Sequence, residues 1–316
     1  MLFEVYGYGA QTALLSGMWI RDADCERRGM GRAKEQHSMI LFEDKEIIVC
    51  HKPAGIPVQS ARLGQKDMVS ILNNDLAYRG EDASVRVVHR LDQPVEGVIV
   101  FARTGRAAAG LGEQIQKGSM EKRYQAVCCV QNPDWKQVPG ENRCDSASKQ
   151  EGENRVTLVD YLVKDGRTNT SFIGKKGQKE AKRAELTFEV LAERTITLSE
   201  RDGGSNLLPE EHERAHQADK TYLLADICLK TGRHHQIRVQ MSHAGLPLYG
   251  DRKYNGTWED YVLPVSCGQE GQEEKSRESA LALCAVSLTF RHPSGGKRME
   301  FQVKPQAKIF QIFEET

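Results

Sequence analysis

The chain has 316 residues, with 44 Lys plus Arg against 44 Asp plus Glu, and so a formal net charge of zero. With 39% hydrophobic and 28% charged residues it can bury a sizeable core in water, and no run of about 18 apolar residues marks a membrane span. A neutral total also argues against a dedicated nucleic-acid binder, which ordinarily carries a basic excess.

Residues 1–38 mix Gly7, Gly9, Gly17, Gly29 and Gly31 with scattered charges and hold no regular periodicity, so an irregular N-terminal extension is expected there. No basic segment precedes the short apolar patch from Ala13 to Ile20, and no cleavage site follows, which points to the cytoplasm. An ordered domain is expected over residues 39–316. The eight cysteines form no C-x-x-C pair and read as small core residues of a reducing compartment.

Glu46 to Cys50 reads as a short strand stopped by Lys52-Pro53. Val69 to Leu72 suggests a short helix. Gly97 to Ala102 is an unbroken apolar run, the pattern of a strand covered on both faces. Thr104 is placed to cap a helix reaching Lys117, with Ala107, Leu111 and Ile115 on one face and Gly118 past its end. Tyr124 to Val130, Ala184 to Leu191 and Tyr222 to Leu229 are further strands. Gln236 to Ala244 is a helix stopped by Gly245, and Ala280 to Phe290 and Glu300 to Val303 are closing strands. The polar stretches 131–155, 166–183, 199–219 and 266–279 read as loops. Their charges oppose one another: residues 164–183 hold seven Lys or Arg and two acids, residues 200–219 six acids and two Arg. The neutral total is therefore a sum of opposed segments and is compatible with a basic surface, so it does not exclude nucleic acid.

Two segments place charged groups inside apolar surroundings. In Val87-Val-His-Arg-Leu-Asp-Gln-Pro-Val-Glu-Gly97, the residues His89, Arg90 and Asp92 fall on a loop that a rigid sheet can present. Taken alone, Asp92 reads first as a turn residue accepting backbone hydrogen bonds. In Thr231-Gly-Arg-His-His-Gln-Ile-Arg-Val-Gln-Met-Ser-His243, Ile237 and Met241 share a helix face and Arg238 flanks it. A buried-edge arginine needs a carboxylate partner. His234, His235 and His243 match no common zinc spacing, so no metal is expected.

His89-Arg-Leu-Asp92 with Gly97 beyond it, Lys122-Arg-Tyr-Gln-Ala126 and Gly232-Arg-His-His-Gln-Ile-Arg238 together resemble the RluA family of RNA pseudouridine synthases. Lys52-Pro-Ala-Gly55 and Gly250-Asp-Arg-Lys-Tyr254 look like the same family, so the resemblance runs in order over residues 40–304. It implies an α+β fold, with a mixed, mainly antiparallel bent β-sheet, flanking helices and a central cleft. The implied activity is isomerisation of specific uridines to pseudouridine in structured RNA, ribosomal or transfer. Asp92 matches the family's essential aspartate, Tyr124 the tyrosine that stacks on uracil, and Arg238 the basic residue that pairs with the aspartate. Arg90 matches the arginine that enters the RNA helix where the uridine is extruded, and Leu91 and Ile237 would form apolar walls. Lys175, Lys176, Lys179, Lys182 and Arg183 are placed to follow the RNA backbone.

The implied isomerisation is redox-neutral, so no cofactor is expected. RNA is the expected partner, without a membrane, and the chain is expected to act as a monomer. Two features depart from the family pattern: Pro94-Val-Glu-Gly97 stands where many members carry Thr-Ser-Gly, and Gln240 stands where a His is common. Residues 1–38 are too few for the S4-like domain that the family often adds, so none is expected. Two other readings compete. One is a non-catalytic RNA-binding or ribosome-assembly factor on the same fold. The other is a nucleoside or sugar hydrolase, which requires a second carboxylate near Asp92, and Glu96 is the nearest in sequence.

Overall fold

The computed structural model describes residues 39–62, 64–131, 155–196, 219–256 and 281–314. The expected N-terminal extension and the loops at 132–154, 199–218 and 266–279 lie outside the described residues. The described residues divide into two compact units, the first within 39–93, 97–120 and 287–303, the second within 94–96, 121–131, 155–196, 219–256, 281–286 and 304–314.

In the first unit, β1 (Ile40–Glu43) and β2 (Ile47–Lys52) form an antiparallel pair, and β2 pairs with β4 (Glu96–Ala102) from Ile47↔Ala102 to Lys52↔Gly97. A two-residue strand, β3 (Arg86–Val87), also pairs with β4. Every residue of β4 is buried, as its unbroken apolar run requires. Helix α1 (Met68–Tyr78) starts at a reciprocal cap, in which Asp67 Oδ1 accepts from the Ser70 N–H (2.7 Å) and Ser70 Oγ from the Asp67 N–H (3.0 Å). It runs well past Leu72, where the sequence pattern fades into Asn73, Asn74 and Asp75. Leu76 continues the buried face of Met68, Ile71 and Leu72, and the Asn73 side chain accepts from the Val85 N–H at 2.9 Å. Helix α2 (Gly105–Gln116) follows expectation: Thr104 Oγ1 accepts from the Ala107 N–H (3.0 Å), and Gly118 takes the left-handed φ of 67° just past the end. Ile47, Val49, Val98, Val100, Leu111 and Phe290 are among the residues that form this unit's core.

The second unit is a wide antiparallel array. Its strands are β5 (Glu121–Cys129), β6 (Arg155–Asp165), β7 (Thr170–Gly174), β8 (Lys182–Ile196) and β9 (Lys220–Leu229), arranged β5-β9-β8-β6-β7. Strand β10 (Leu283–Arg291) gives its first residues to this unit and its last to the first unit, where β11 (Arg298–Gln302) pairs with it. Helix α3 (Gln236–His243) packs on β6 and β7.

The stretch 166–183, read as a loop, instead contains β7 and the start of β8, and β6 has no counterpart among the expected elements. Asp160 of β6 is buried with its carboxylate satisfied by Gln240 and His243, so the strand does not present the apolar alternation that a local pattern needs. Cys50, Cys128, Cys129 and Cys284 are buried thiols of the core, and burial pushes the Cys128 thiol up to about 12.

Glu96 is also buried. Its Oε1 accepts from the backbone N–H groups of Gln306 (2.9 Å) and Ala307 (3.2 Å), at the start of a 3-10 helix over Lys308–Phe313. The departure from the family pattern at Pro94–Gly97 thus serves to anchor the C-terminal segment. Glu96, the second carboxylate that the hydrolase reading offered, is thus bound to backbone N–H groups of the C-terminal segment.

Candidate active site

The first unit carries Arg90, Leu91 and Asp92 on one turn, between β3 and β4. Leu91 is buried, Asp92 half-buried and Arg90 exposed, with Arg90 Nη2 donating to Gln59 Oε1 at 3.1 Å. Three contacts fix this turn. The imidazole of His89 accepts from the Val100 N–H through Nε2 (3.2 Å), tying the turn to β4. Gly55, at φ 86°, donates its N–H to the Gln93 carbonyl (2.9 Å), while Gln93 Nε2 donates back to the Gly55 carbonyl (3.0 Å).

The third contact is Lys52. Its side chain is fully buried, and Nζ donates to the carbonyls of Pro53 (3.0 Å), Ile56 (2.8 Å) and Gln93 (3.1 Å). An ammonium has three hydrogens, and three carbonyls face it. A charge buried at the end of an apolar strand is costly unless it is paired in this way. Lys52 therefore locks the Pro53–Ile56 loop to the residue that follows Asp92.

The second unit carries Tyr124, Ile237 and Arg238, all buried. Tyr124 lies within β5 and pairs with Ile227 of β9. Arg238 finds a buried carboxylate in Asp251: Nε donates to Oδ2 (2.8 Å) and Nη2 to Oδ1 (2.7 Å), a bidentate pair. Its guanidinium carbon also stands 5.1 Å from the centroid of the Tyr254 ring.

The Tyr254 hydroxyl accepts from the Ser171 N–H (2.8 Å) and meets His235 Nδ1 (2.8 Å). His234 stacks on His235 with centroids 3.8 Å apart, and its two ring nitrogens meet Ser171 Oγ (2.9 Å) and Asn169 Oδ1 (3.1 Å). Burial, helped by nearby Lys164, Lys253 and Arg238, lowers His234 to about 4. Burial and the adjacent Arg238 lower His235 to about 3. Both rings are thus neutral at pH 7; His235 holds Tyr254, on the loop that carries Asp251, and His234 holds the start of β7.

Helix α3 is buried throughout Gln236–Met241, not only on the Ile237 and Met241 face that the spacing suggested. Its polar residues are satisfied internally. Gln236 donates to the Glu185 carbonyl (3.0 Å) and to Gln240 Oε1 (2.9 Å), and Gln240 donates to Asp160 Oδ2 (2.8 Å). This ladder over β6 and β8 sets the rotation of the helix, and with it the directions of Ile237 and Arg238. Gln240, a departure from the family pattern, is a structural partner of Asp160.

Lys52, Asp251 and Tyr254 are the residues whose roles sequence reasoning missed. A lysine closing the strand Ile47-Ile-Val-Cys-His-Lys52 directly before a proline is the one local signal of the first. The other two appeared only as members of a motif.

A family model described as RNA pseudouridylate synthase matches residues 46–243. The chain is 28% identical over 303 residues to the ribosomal large subunit pseudouridine synthase D of Pseudomonas aeruginosa, covering 95% of this chain and 76% of that protein. It is 31% identical over 221 residues to the uncharacterized RNA pseudouridine synthase YhcT of Bacillus subtilis, covering 69% of this chain and 57% of that protein. The solved structure of human RNA pseudouridylate synthase domain containing 4 superposes with a TM-score of 0.56 at 21% identity, covering 88% of this chain and 92% of the other. At that identity the likeness speaks for the fold, an α+β architecture on a mixed, mainly antiparallel sheet.

Proposed function

The chain belongs to the RNA pseudouridylate synthase family, in its RluA branch, and from its uridine-isomerising activity we propose that Asp92, Tyr124 and Arg238 carry the reaction, on ribosomal RNA. The reaction breaks the N1–C1′ bond of a uridine, turns the uracil and joins C5 to C1′. Cleavage develops positive charge on the ribose, which a carboxylate beside C1′ stabilises. Asp92 fills that role. An ionised aspartate beside the sugar is stabilised by a cation, the role that the family resemblance gives Arg238, whose guanidinium Asp251 holds in plane. After the new bond forms, the C5 proton must leave, and the phenol of Tyr124 is its acceptor.

A stacked uridine cannot reach such a pocket, and extruding it costs a few kcal/mol. Arg90, exposed on the same turn as Asp92, occupies the vacated space, while Leu91 and Ile237 flank the base. The observation that carries the assignment of Asp92 is the Lys52 clamp, in which a buried ammonium seated on the Pro53 and Ile56 carbonyls ties down the Asp92 turn through the Gln93 carbonyl. A turn that only reversed the chain would have no use for so costly an anchor.

The relatives named for the ribosomal large subunit favour ribosomal over transfer RNA as the substrate. Mapping of pseudouridine in total RNA from cells with and without the gene tests the target. Loss of one or a few sites in large-subunit ribosomal RNA is expected. Loss confined to transfer RNA would overturn the ribosomal assignment.

A further inference from the structure

We propose that the edge strand β7 and the loop after it form a docking surface for a single-stranded segment of the RNA substrate, with Phe172 as the ring on which an unpaired base stacks. The inference rests on the family reading above and adds to it a contact on the second unit.

Strand β7 is built inside out. Phe172 is 47% exposed, whereas Ser171 before it is 4% exposed and Ile173 after it packs into a core cluster. A strand with one wet face ordinarily does the reverse, apolar in and polar out. Ser171 is buried with partners in place, its N–H on the Tyr254 hydroxyl and its own hydroxyl on His234, so the register is fixed and the phenyl ring faces water. That register pairs Phe172 with Val163 and Gly174 with Tyr161, and Tyr161 pairs in turn with Arg183 of β8. Phe172, Tyr161 and Arg183 therefore share one face. Strand β7 also ends the strand order, so among the described residues no further strand pairs with its outer edge.

The loop that follows holds its lysines in a defined double turn. Gln178 Oε1 accepts from the Lys175 N–H (3.0 Å), the Gln178 N–H donates to the Lys175 carbonyl (3.0 Å), and the Ala181 N–H donates to the Gln178 carbonyl (3.1 Å). The turn closes over Gly174, where a Cβ would come within 2.8 Å of Gln178 Oε1 and of Val163 Cγ2. Lys175, Lys176 and Lys179 are exposed on it. The ion pairs of this corner, Arg167 with Asp165 and Arg183 with Glu185, involve none of the three lysines.

An exposed ring beside three exposed lysines, against the single acid Glu180 in their turn, fits single-stranded nucleic acid. The ring stacks on any base, and the lysines neutralise successive phosphates. One ring is too little apolar surface to seat on a lipid bilayer. An acidic protein face would satisfy the lysines but offer the ring no flat partner.

The test uses the full chain and a fluorescent oligocytidylate of about 20 nucleotides, which offers bases and phosphates but no uridine to the catalytic pocket. Phe172→Ala should weaken binding roughly 5- to 100-fold, and Phe172→Trp should restore it. The triple variant Lys175→Gln, Lys176→Gln, Lys179→Gln should reduce the slope of log affinity against log salt by about 2. Equal urea midpoints for all variants establish that the fold is intact. No binding by the parent protein, or parental affinity in Phe172→Ala and the triple variant, would overturn the proposal. Tritium release from C5-labelled RNA separates this from the family reading. Release with unaltered oligocytidylate binding sinks the surface alone. Absent release sinks the isomerase reading, while oligocytidylate binding still decides the surface.

Discussion

Lys52 illustrates what a single buried charge does for the proposed site. Replacing it by Met keeps the aliphatic stem and removes three charge-assisted hydrogen bonds, leaving the carbonyls of Pro53, Ile56 and Gln93 without that donor. A loss of about 3 kcal/mol is expected, read as a lower urea midpoint, together with slower turnover as the Asp92 turn loosens. An unchanged midpoint would show that the clamp is not needed. Asp251→Asn removes the counter-charge of a buried guanidinium and is expected to cost about 3–5 kcal/mol, with kcat falling more than KM rises as Arg238 loses its orientation. A change in KM alone would place Arg238 in RNA binding and not beside the reacting carboxylate. Asp92, Tyr124 and Arg238 were nominated through local motifs that resemble the family's. The roles of Lys52 and Asp251 were not legible, because each depends on a partner far along the chain: Gln93 lies 41 residues from Lys52, and Arg238 lies 13 from Asp251.

At the scale of elements, local signals succeeded where one strand or helix carries its own pattern. The apolar run of β4, the Thr104 cap with its Gly118 stop, and Gly245 after α3 all mark boundaries by chemistry within a few residues. Thr104→Ala should cost about 1 kcal/mol, because the Ala107 N–H loses its acceptor at the start of α2. A thermal scan showing no loss would mean that the cap is supplied elsewhere. Strands β6 and β7 were hidden because the sheet reverses the usual assignment of polarity. Asp160 and Ser171 are inside with partners from α3 and its loops, and Phe172 is outside. A strand whose buried residues are polar can be recognised only when the elements covering it are known. Helix α1 was cut short for a related reason, since Asn73 is used for a tertiary bond to Val85 and not for helix propensity.

For the whole molecule, the zero net charge conceals both a basic corner and a pH-dependent element. His234 and His235 titrate near 6.5 when unfolded but are lowered to about 4 and about 3 in the folded chain. Between those values the unfolded state binds more protons, so stability falls as pH drops from 6.5 toward 4. His243 acts in the opposite sense. Its bond to Asp160 raises its pKa, so its contribution is complete below 6.5 and is lost as pH rises through the folded value. Urea midpoints are expected to be lower at pH 5 than at pH 7.5. The double variant His234→Gln, His235→Asn should narrow that difference, Asn being tolerated at the left-handed φ of 53°. A difference as large as in the parent would contradict the assignment to this pair. The central proposal, that Asp92 performs the isomerisation, is tested most directly by single-turnover tritium release from large-subunit ribosomal RNA labelled at uridine C5. The parent protein should release tritium, and Asp92→Asn should release none while binding the same RNA with affinity within a few-fold. Turnover by Asp92→Asn at the parental rate would contradict the account.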